Sequence, residues 1–294
     1  MRILITGAGG RIGKALCEKL ALIGCEYIPL FRGPSNQQHG ICADLRQRNT
    51  ASASIRDRGP FEVVVHLAAL AHNQVLPPGE TYSRVNVQIL ETVLDACLRD
   101  DPHFIFASSV AIYGEASHGE DIGLGSTPRP ATDYGRSKLL GEKLLLSSPL
   151  TDLDILRFTP VYSEHILDDM QKRAQFPYFS RARMWLFPEP RYSFCHLDSC
   201  VSAIIALIER GRNGRVLQQI ADRKPTAQHH LFKRFSGIPI PVWTLPPLLA
   251  ARLLYFLPGD GAYALSCNLE KVFATRLFPN EVLKLSGGDA SGKD

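Results

Sequence analysis

MRILITGAGGRIGKALCEKLALIG, residues 1–24, decides the fold. Arg2 to Thr6 reads as a short apolar strand, and GAGGRIG leads straight into a segment whose Ile12, Leu16, Leu20 and Ile23 keep helical spacing. Strand, glycine turn and helix in that order suit the pyrophosphate of a dinucleotide. Gly7 permits the tight turn, Gly10 lets the backbone approach the phosphates, and Gly13 allows the helix to pack closely on the strand. The N–H groups at the helix start, around Arg11 and Ile12, then face the phosphates. The spacing is G-x-x-G-x-x-G, one residue different from G-x-G-x-x-G, and a lone glycine turn is weak evidence. The rest of the chain has to support it.

Apolar strands at 2–6, 26–31, 62–66, 103–107 and 153–157 alternate with helical stretches. That alternation predicts a parallel sheet with helices on both faces and ligands beyond the carboxyl ends of the strands. Gly7, Ala68, Ser109 and the loop after Arg157 all follow strand ends. After the second strand an Asp or Glu would hold the ribose hydroxyls of NAD, but the chain offers Leu30, Phe31, Arg32 and Gly33. Arg32, with Arg11, suits a 2′-phosphate, so NADP is expected ahead of NAD. A solvated Arg32 would leave that choice open.

YGRSK sets Tyr134 and Lys138 four residues apart, on one face of a helix, with Ser109 upstream in FASSVAIYG. A tyrosine hydroxyl titrates near ~10 and works poorly at neutral pH unless a nearby cation favours the phenolate. Lys138 is placed to supply that cation and to reach a bound ribose. Ser109 then hydrogen-bonds the oxygen of a substrate carbonyl or alcohol while Tyr134 gives or takes its proton. Y-x-x-x-K alone also describes a surface tyrosine on an amphipathic helix. The glycine turn and Ser109 are what raise the reading above that.

The motifs GAGGRIG, CADL, VVVHLAAL, SSVAIYG, YGRSK, LRFTPVY and FCHLDSCVSAI, in this order from Met1 to about Ile208, resemble the extended short-chain dehydrogenase/reductase family. That family holds nucleotide-sugar epimerases, dehydratases and ketoreductases. The resemblance implies an α/β fold, a doubly wound parallel sheet of Rossmann type with a smaller C-terminal substrate lobe. Residues 1–160 would form the NAD(P)-binding core, with 191–221 returning to it, and 161–190 with 222–285 the substrate lobe. It further implies that Asp44 and Leu45 meet the adenine end, that His66, Leu67, Ala68 and Ala69 line the cofactor cleft, and that Asn86 orders the active-site helix beside it. Ser108, Arg157, Tyr162 and Arg191 fall on the substrate side. Lys172, Arg173, Arg181 and Arg183 are further candidates for a nucleotide diphosphate. Arg191 stands just before the F-x-H-x-D segment, where the family often has an arginine, and a solvated charge is its other reading. His196 and Asp198 belong to the segment that returns to the core. The chain departs from the family at Ile89–Leu90, at Ser199 and at Tyr162-Ser163-Glu164, which puts local packing and the path of the substrate loop in question.

Within that family the residues after the catalytic serine sort the chemistry. Sugar dehydratases usually carry Asp-Glu there, whereas this chain has Val110 and Ala111, and the Cys and His of members that epimerise next to a ketone are also missing. A 4-keto-sugar reductase and a nucleotide-sugar 4-epimerase remain, both using the same three residues. The missing acid after the second strand favours the reductase, because an epimerase retains NAD. A non-catalytic dinucleotide-binding scaffold or sensor is the alternative of another class, and it has no need of Tyr134 as a proton partner.

With 294 residues, 45% hydrophobic and 21% charged, the chain is globular and large enough for a full core. A net charge of +4, with no lysine-rich arm and no zinc spacing, gives no reason to expect nucleic acid or a metal. Seven cysteines without C-x-x-C spacing imply free thiols in a reducing, cytoplasmic setting, and MRILITG reads as a core strand and not a cleavable signal. Residues 238–258, IPIPVWTLPPLLAARLLYFLP, are apolar, but five prolines and Arg252 argue against a transmembrane segment. Leu248 to Phe256 is expected as a short helix buried in the substrate lobe, ahead of one lying on a membrane surface. Residues 286–294 have the composition of a disordered tail. The sequence leaves a homodimer open.

Overall fold

The computed structural model of this chain describes all residues except 34–38, 71–75, 77–78, 115–120, 177–178, 233–234, 236, 258 and 286–294. The expectation for the 286–294 tail therefore lies outside the described residues.

The first half alternates as the sequence predicts: β1 (Ile3–Thr6), α1 (Arg11–Leu22), β2 (Tyr27–Phe31), β3 (Ile41–Cys42), α2 (Arg48–Arg56), β4 (Val63–His66), α3 (Tyr82–Cys97), β5 (His103–Ser109), α4 (Asp133–Ser147) and β6 (Leu153–Phe158). The second half is more broken. It holds β7 (Val161–Tyr162), α5 (Asp168–Ala174), β8 (Gln175–Phe176), β9 (Phe179–Phe187), β10 (Arg191–Tyr192), β11 (Cys195–His196), α6 (Leu197–Arg210), β12 (Arg215–Ile220) and β13 (Thr226–Ala227). It ends with α7 (Gln228–Phe232), β14 (Ile238–Trp243), α8 (Leu245–Phe256), α9 (Asp260–Phe273) and β15 (Glu281–Leu285).

The main sheet has eight strands in the order β15-β12-β6-β5-β4-β1-β2-β3, parallel throughout except for β15. Every residue of β1 and β4 is buried, as strands covered on both faces require. Alternate side chains feed two cores. Leu4, Val64, Phe104 and Ile155 pack under α2, α3 and α4, while Ile3, Ile5, Val65 and Ile105 pack under α1 and α6. The strand order reverses between β1 and β4, the switch point at which such sheets open a crevice at their carboxyl ends.

Two expectations are corrected here. Residues 281–285, assigned to the substrate lobe, instead extend the core sheet as the antiparallel edge strand β15, hydrogen-bonded along β12. The apolar segment is not a buried helix either. Residues 245–256 form α8, but Leu249, Leu253 and Phe256 are exposed and within it only Ala251 is buried, because α8 packs on α9 and, among the described residues, its other side is left uncovered. Among the described residues no helix is long and apolar enough to cross a membrane.

Candidate active site

The glycine turn is built as its spacing predicts. Gly7 takes φ +69°, and a Cβ there would lie 2.7 Å from the Ala68 nitrogen; one on Gly13 would lie 2.3 Å from the Gly7 carbonyl oxygen. These contacts press α1 onto the ends of β1 and β4 at the switch point. Gly10 is the N-cap of α1 and offers no side chain to cap it, so the first N–H groups of a twelve-residue helix are left for another acceptor. The cradle fits a dinucleotide pyrophosphate. Gly13→Val is expected to lower dinucleotide affinity about tenfold or more, since a side chain there forces the helix off the turn. Unchanged affinity in a fluorescence titration would detach the turn from cofactor binding.

Behind the turn, Thr6 Oγ1 accepts the Ala68 N–H at 3.2 Å and lies 3.0 Å from His66 Nδ1. The Thr6 hydroxyl proton is then free to go to Nδ1, which requires a neutral ring. Burial, aided by the Lys138 charge, does hold His66 down to about 3. Thr6 thereby fixes the 67–69 loop that the sequence assigned to the cofactor cleft.

Ser109 closes β5, and its Oγ accepts the Ala111 N–H at 3.2 Å, capping a 3-10 turn at Val110–Tyr113. Helix α4 begins one residue before Tyr134, with Thr132 Oγ1 accepting the Gly135 N–H at 3.0 Å and Asp133 in the first turn. A Cβ at Gly135 would stand 2.4 Å from the Ala111 carbonyl oxygen. The glycine inside YGRSK is therefore what lets the start of α4 rest on the turn that carries Ser109. Tyr134, partly exposed, and Lys138, buried, come from successive turns of this helix, and Ser109 from the strand beside it.

Lys138 lies over the Tyr134 ring and also bonds the backbone of β5. Lys138 Nζ donates to the Ala107 carbonyl oxygen at 2.6 Å and lies 5.7 Å from the Tyr134 ring centre. Burial pushes the Tyr134 phenol up to about 12 instead of down. Burial also lowers Lys138 from 10.5 to about 8, opposed by Glu142. Between those two values the unfolded chain binds the lysine proton more tightly than the folded one. The stability tied to Lys138 is thus present above about 10.5, declines as pH falls, and is lost below about 8. Thermal unfolding of Lys138→Met should accordingly shift in the variant's favour, relative to wild type, on going from about pH 10 to about pH 7. A pH-independent difference would remove the burial account.

Several residues expected to face ligands are held in the interior instead. Arg157 is buried, with Nε and Nη2 on the two Glu142 carboxylate oxygens at 3.0 and 2.6 Å and Nη1 on the Tyr113 hydroxyl at 2.6 Å. Ser108 donates to the same Glu142 at 2.5 Å. Both were expected on the substrate side, and both are instead consumed in tying α4 to β5 and β6. Asn86 exchanges two hydrogen bonds with the Leu70 backbone and donates to Ser137 Oγ at 3.0 Å, so it orders α4 and has its amide engaged there. Leu45 has its side chain buried in the core under α2 and α3. Arg173 is buried against Tyr192 and Phe194 and donates to the Asp169 carbonyl oxygen.

The remaining residues lie at the surface or in the second half. Arg11 pairs with Asp168 of α5 at 3.0 Å, both exposed, and Asp44 is gripped by Arg46, whose hydrogen bonds hold its carboxyl below the usual value. Arg32 and Arg191 are exposed, as is Lys172, whereas Arg183 is partly buried and reaches the Phe235 carbonyl. The side chain of Arg181 lies outside the described residues. Tyr162 donates to Asp222 at 2.8 Å and meets His196 edge-on, tying its loop to the returning segment. Ile12, Leu67, Ala68 and Ala69 are partly buried about the switch point. Sequence reading missed Glu142, Tyr113 and Thr6. A signal existed for Glu142, which stands four residues after Lys138 as Lys138 stands after Tyr134.

The sequence profile of the NAD dependent epimerase/dehydratase family matches residues 3–220. The chain belongs to that family. It is 28% identical over 307 aligned residues to the uncharacterized UDP-glucose epimerase YtcB of Bacillus subtilis (strain 168), covering 88% of this chain and 93% of that one. It is 30% identical over 142 residues to the dTDP-4-dehydrorhamnose reductase of Burkholderia thailandensis, covering 48% and 44%. The fold matches UDP-glucuronic acid 4-epimerase from Bacillus cereus, solved in complex with NAD, with a TM-score of 0.62, 20% identity and 92% and 97% of the two chains covered.

Proposed function

We propose that this chain is an oxidoreductase acting at C4 of a nucleotide-linked sugar, working as a 4-keto-sugar reductase. When bound, the nicotinamide supplies the hydride that reaches the carbonyl carbon. The Ser109 hydroxyl holds the carbonyl oxygen at the end of β5. Tyr134 delivers the proton that completes the alcohol, and Lys138, released from Ala107, holds the ribose and the phenol in line. Val110 and Ala111 have no proton to exchange, so the two positions after Ser109 supply neither the acid nor the base that elimination of water needs. Gly7, Gly10 and the open start of α1 would hold the pyrophosphate.

The Tyr134 phenol is raised by burial to about 12, so it keeps its proton in the neutral range, as an ordinary tyrosine also does. It can give that proton to a carbonyl oxygen, a role that a reductase and a 4-epimerase share. The observation that carries the reductive reading is at the end of β2, where Arg32 stands exposed in the place of an acid that would favour NAD. NADPH is expected to bind more tightly than NADH, and Arg32→Ala to shrink that preference selectively. A titration in which wild type binds NADH equally or better moves the reading to a 4-epimerase that retains NAD. The relative named as an epimerase over nearly the whole chain favours that second reading.

A further inference from the structure

Both tryptophans of the chain, Trp185 and Trp243, are exposed on one face, at 55% and 66%. They sit on β9 and β14, neighbouring parallel strands of a three-stranded sheet that is separate from the main one. On β9 the alternation is clean: Met184 and Leu186 are buried, while Trp185 and Phe187 point to solvent. Phe187 meets the Trp243 ring edge-on at 5.7 Å. The Thr244 N–H then bonds the Phe187 carbonyl oxygen at 2.9 Å, so β14 turns directly into α8. On α8, Leu245, Leu249, Arg252, Leu253 and Phe256 fall within an arc of roughly 100° at about 100° per residue. Leu253 is 72% exposed and Phe256 80%. Single exposed apolar residues are ordinary, but a continuous face of this kind marks a contact surface.

We propose that this face seats the protein on an anionic membrane surface, with α8 lying in the interface. Charge selects that occupant. The segments 179–187 and 238–257 carry Arg181, Arg183 and Arg252 and no Asp or Glu. A second copy packed on the same face about a two-fold axis would set the exposed Arg252 against its counterpart, with no carboxylate in either segment to separate them. Addition of a strand from a protein partner is also opposed. β14 is an edge strand, and its donors to β9 must come from the residues flanking Pro239 and Pro241. The prolines therefore occupy the positions whose N–H would face the open edge. An edge without those donors is a poor template for a further strand. At twelve residues, about 18 Å, α8 is too short to span a bilayer core of about 30 Å and suits an interfacial helix. Tryptophan is the residue most at home at that depth.

The surface also lies close to the candidate chemistry. Arg129, in the segment that leads to Tyr134, donates to the Tyr255 hydroxyl of α8 at 2.5 Å and packs over that ring and Tyr263. The membrane reading does not depend on which sugar reaction the site performs.

The test uses the full chain with vesicles of phosphatidylcholine, alone or containing phosphatidylglycerol. Because the only two tryptophans lie on this face, their emission reads it directly. Wild type is expected to float with the anionic vesicles, its emission shifting to the blue and being quenched by bromine-labelled lipid, with binding that weakens as salt rises. Leu249→Asp with Leu253→Asp should lower partitioning about tenfold or more, and Arg252→Glu should remove the preference for anionic lipid. Both variants change exposed side chains, so circular dichroism and dinucleotide affinity should match wild type. Wild type that stays with the aqueous fraction and shows no tryptophan shift overturns the proposal. So does flotation unchanged by the double substitution, or a dimer that the double substitution dissolves while wild type ignores vesicles.

Discussion

Tyr134→Phe is expected to lower turnover about 10²–10⁴-fold, the usual cost of removing a general acid, while dinucleotide affinity stays within about twofold. The separation follows from the geometry. Thr132 caps α4 through the Gly135 N–H, and Asn86 grips the helix through Ser137, two bonds made without the phenol hydroxyl. The helix therefore keeps its place when that hydroxyl is removed. The nucleotide cradle at Gly7, Gly10 and Gly13 is built from other elements. A variant that turns over as fast as wild type would end the proposed role of Tyr134. One that loses dinucleotide affinity in step with rate would show the ring to be part of the cofactor site instead.

Glu142→Leu is expected to cost about 3–5 kcal/mol of stability, because it strands the buried Arg157 guanidinium without its carboxylate. Glu142 is the common acceptor for Arg157 and Ser108, so one substitution breaks three hydrogen bonds in the interior. Against total stabilities of about 5–15 kcal/mol that is a large fraction. Urea unfolding followed by circular dichroism should show a lower midpoint with an unchanged slope. Replacing both partners, with Glu142→Leu and Arg157→Met, should recover much of the loss, since the remaining charge is then gone as well. If Glu142→Leu alone unfolds at the wild-type midpoint, the pair does not hold α4 in place.

The core strands and the glycine turn were legible because their signals are local. Four buried residues in a row mark β1 and β4, and Gly7 and Gly13 answer to contacts within the strand-turn-helix unit itself. The partner of Arg157 was not legible, although its strand was. A buried ion pair depends on which helix face meets which strand, and LRFTPVY gives no sign that Glu142 lies opposite. Leu45 and Ser108 were misread in the same direction, whereas Asn86 orders α4 as expected. Each of the two misread residues neighbours a cleft in sequence, while its side chain is spent on packing or on hydrogen bonds to the next element. The apolar stretch 238–258 failed for another reason. A helix apolar on all sides reads as buried, and nothing in its own sequence shows that α9 covers one side and leaves the other open. Edge strand β15 was missed because Val282 and Leu283 are exposed and its partner β12 lies far back in the chain.

The central claim is that Ser109, Tyr134 and Lys138 reduce a ketone at C4 of a nucleotide-linked sugar. It is tested most directly by incubating the protein with a UDP- or dTDP-linked 4-keto-6-deoxyhexose and NADPH, following the near-ultraviolet absorbance of the reduced nicotinamide and the product by NMR. The account predicts loss of that absorbance in step with formation of a 4-hydroxy sugar, and no water loss from an unmodified nucleotide hexose. Inversion at C4 of the unmodified hexose without net use of NADPH, or formation from it of a 4-keto-6-deoxy sugar, would contradict it.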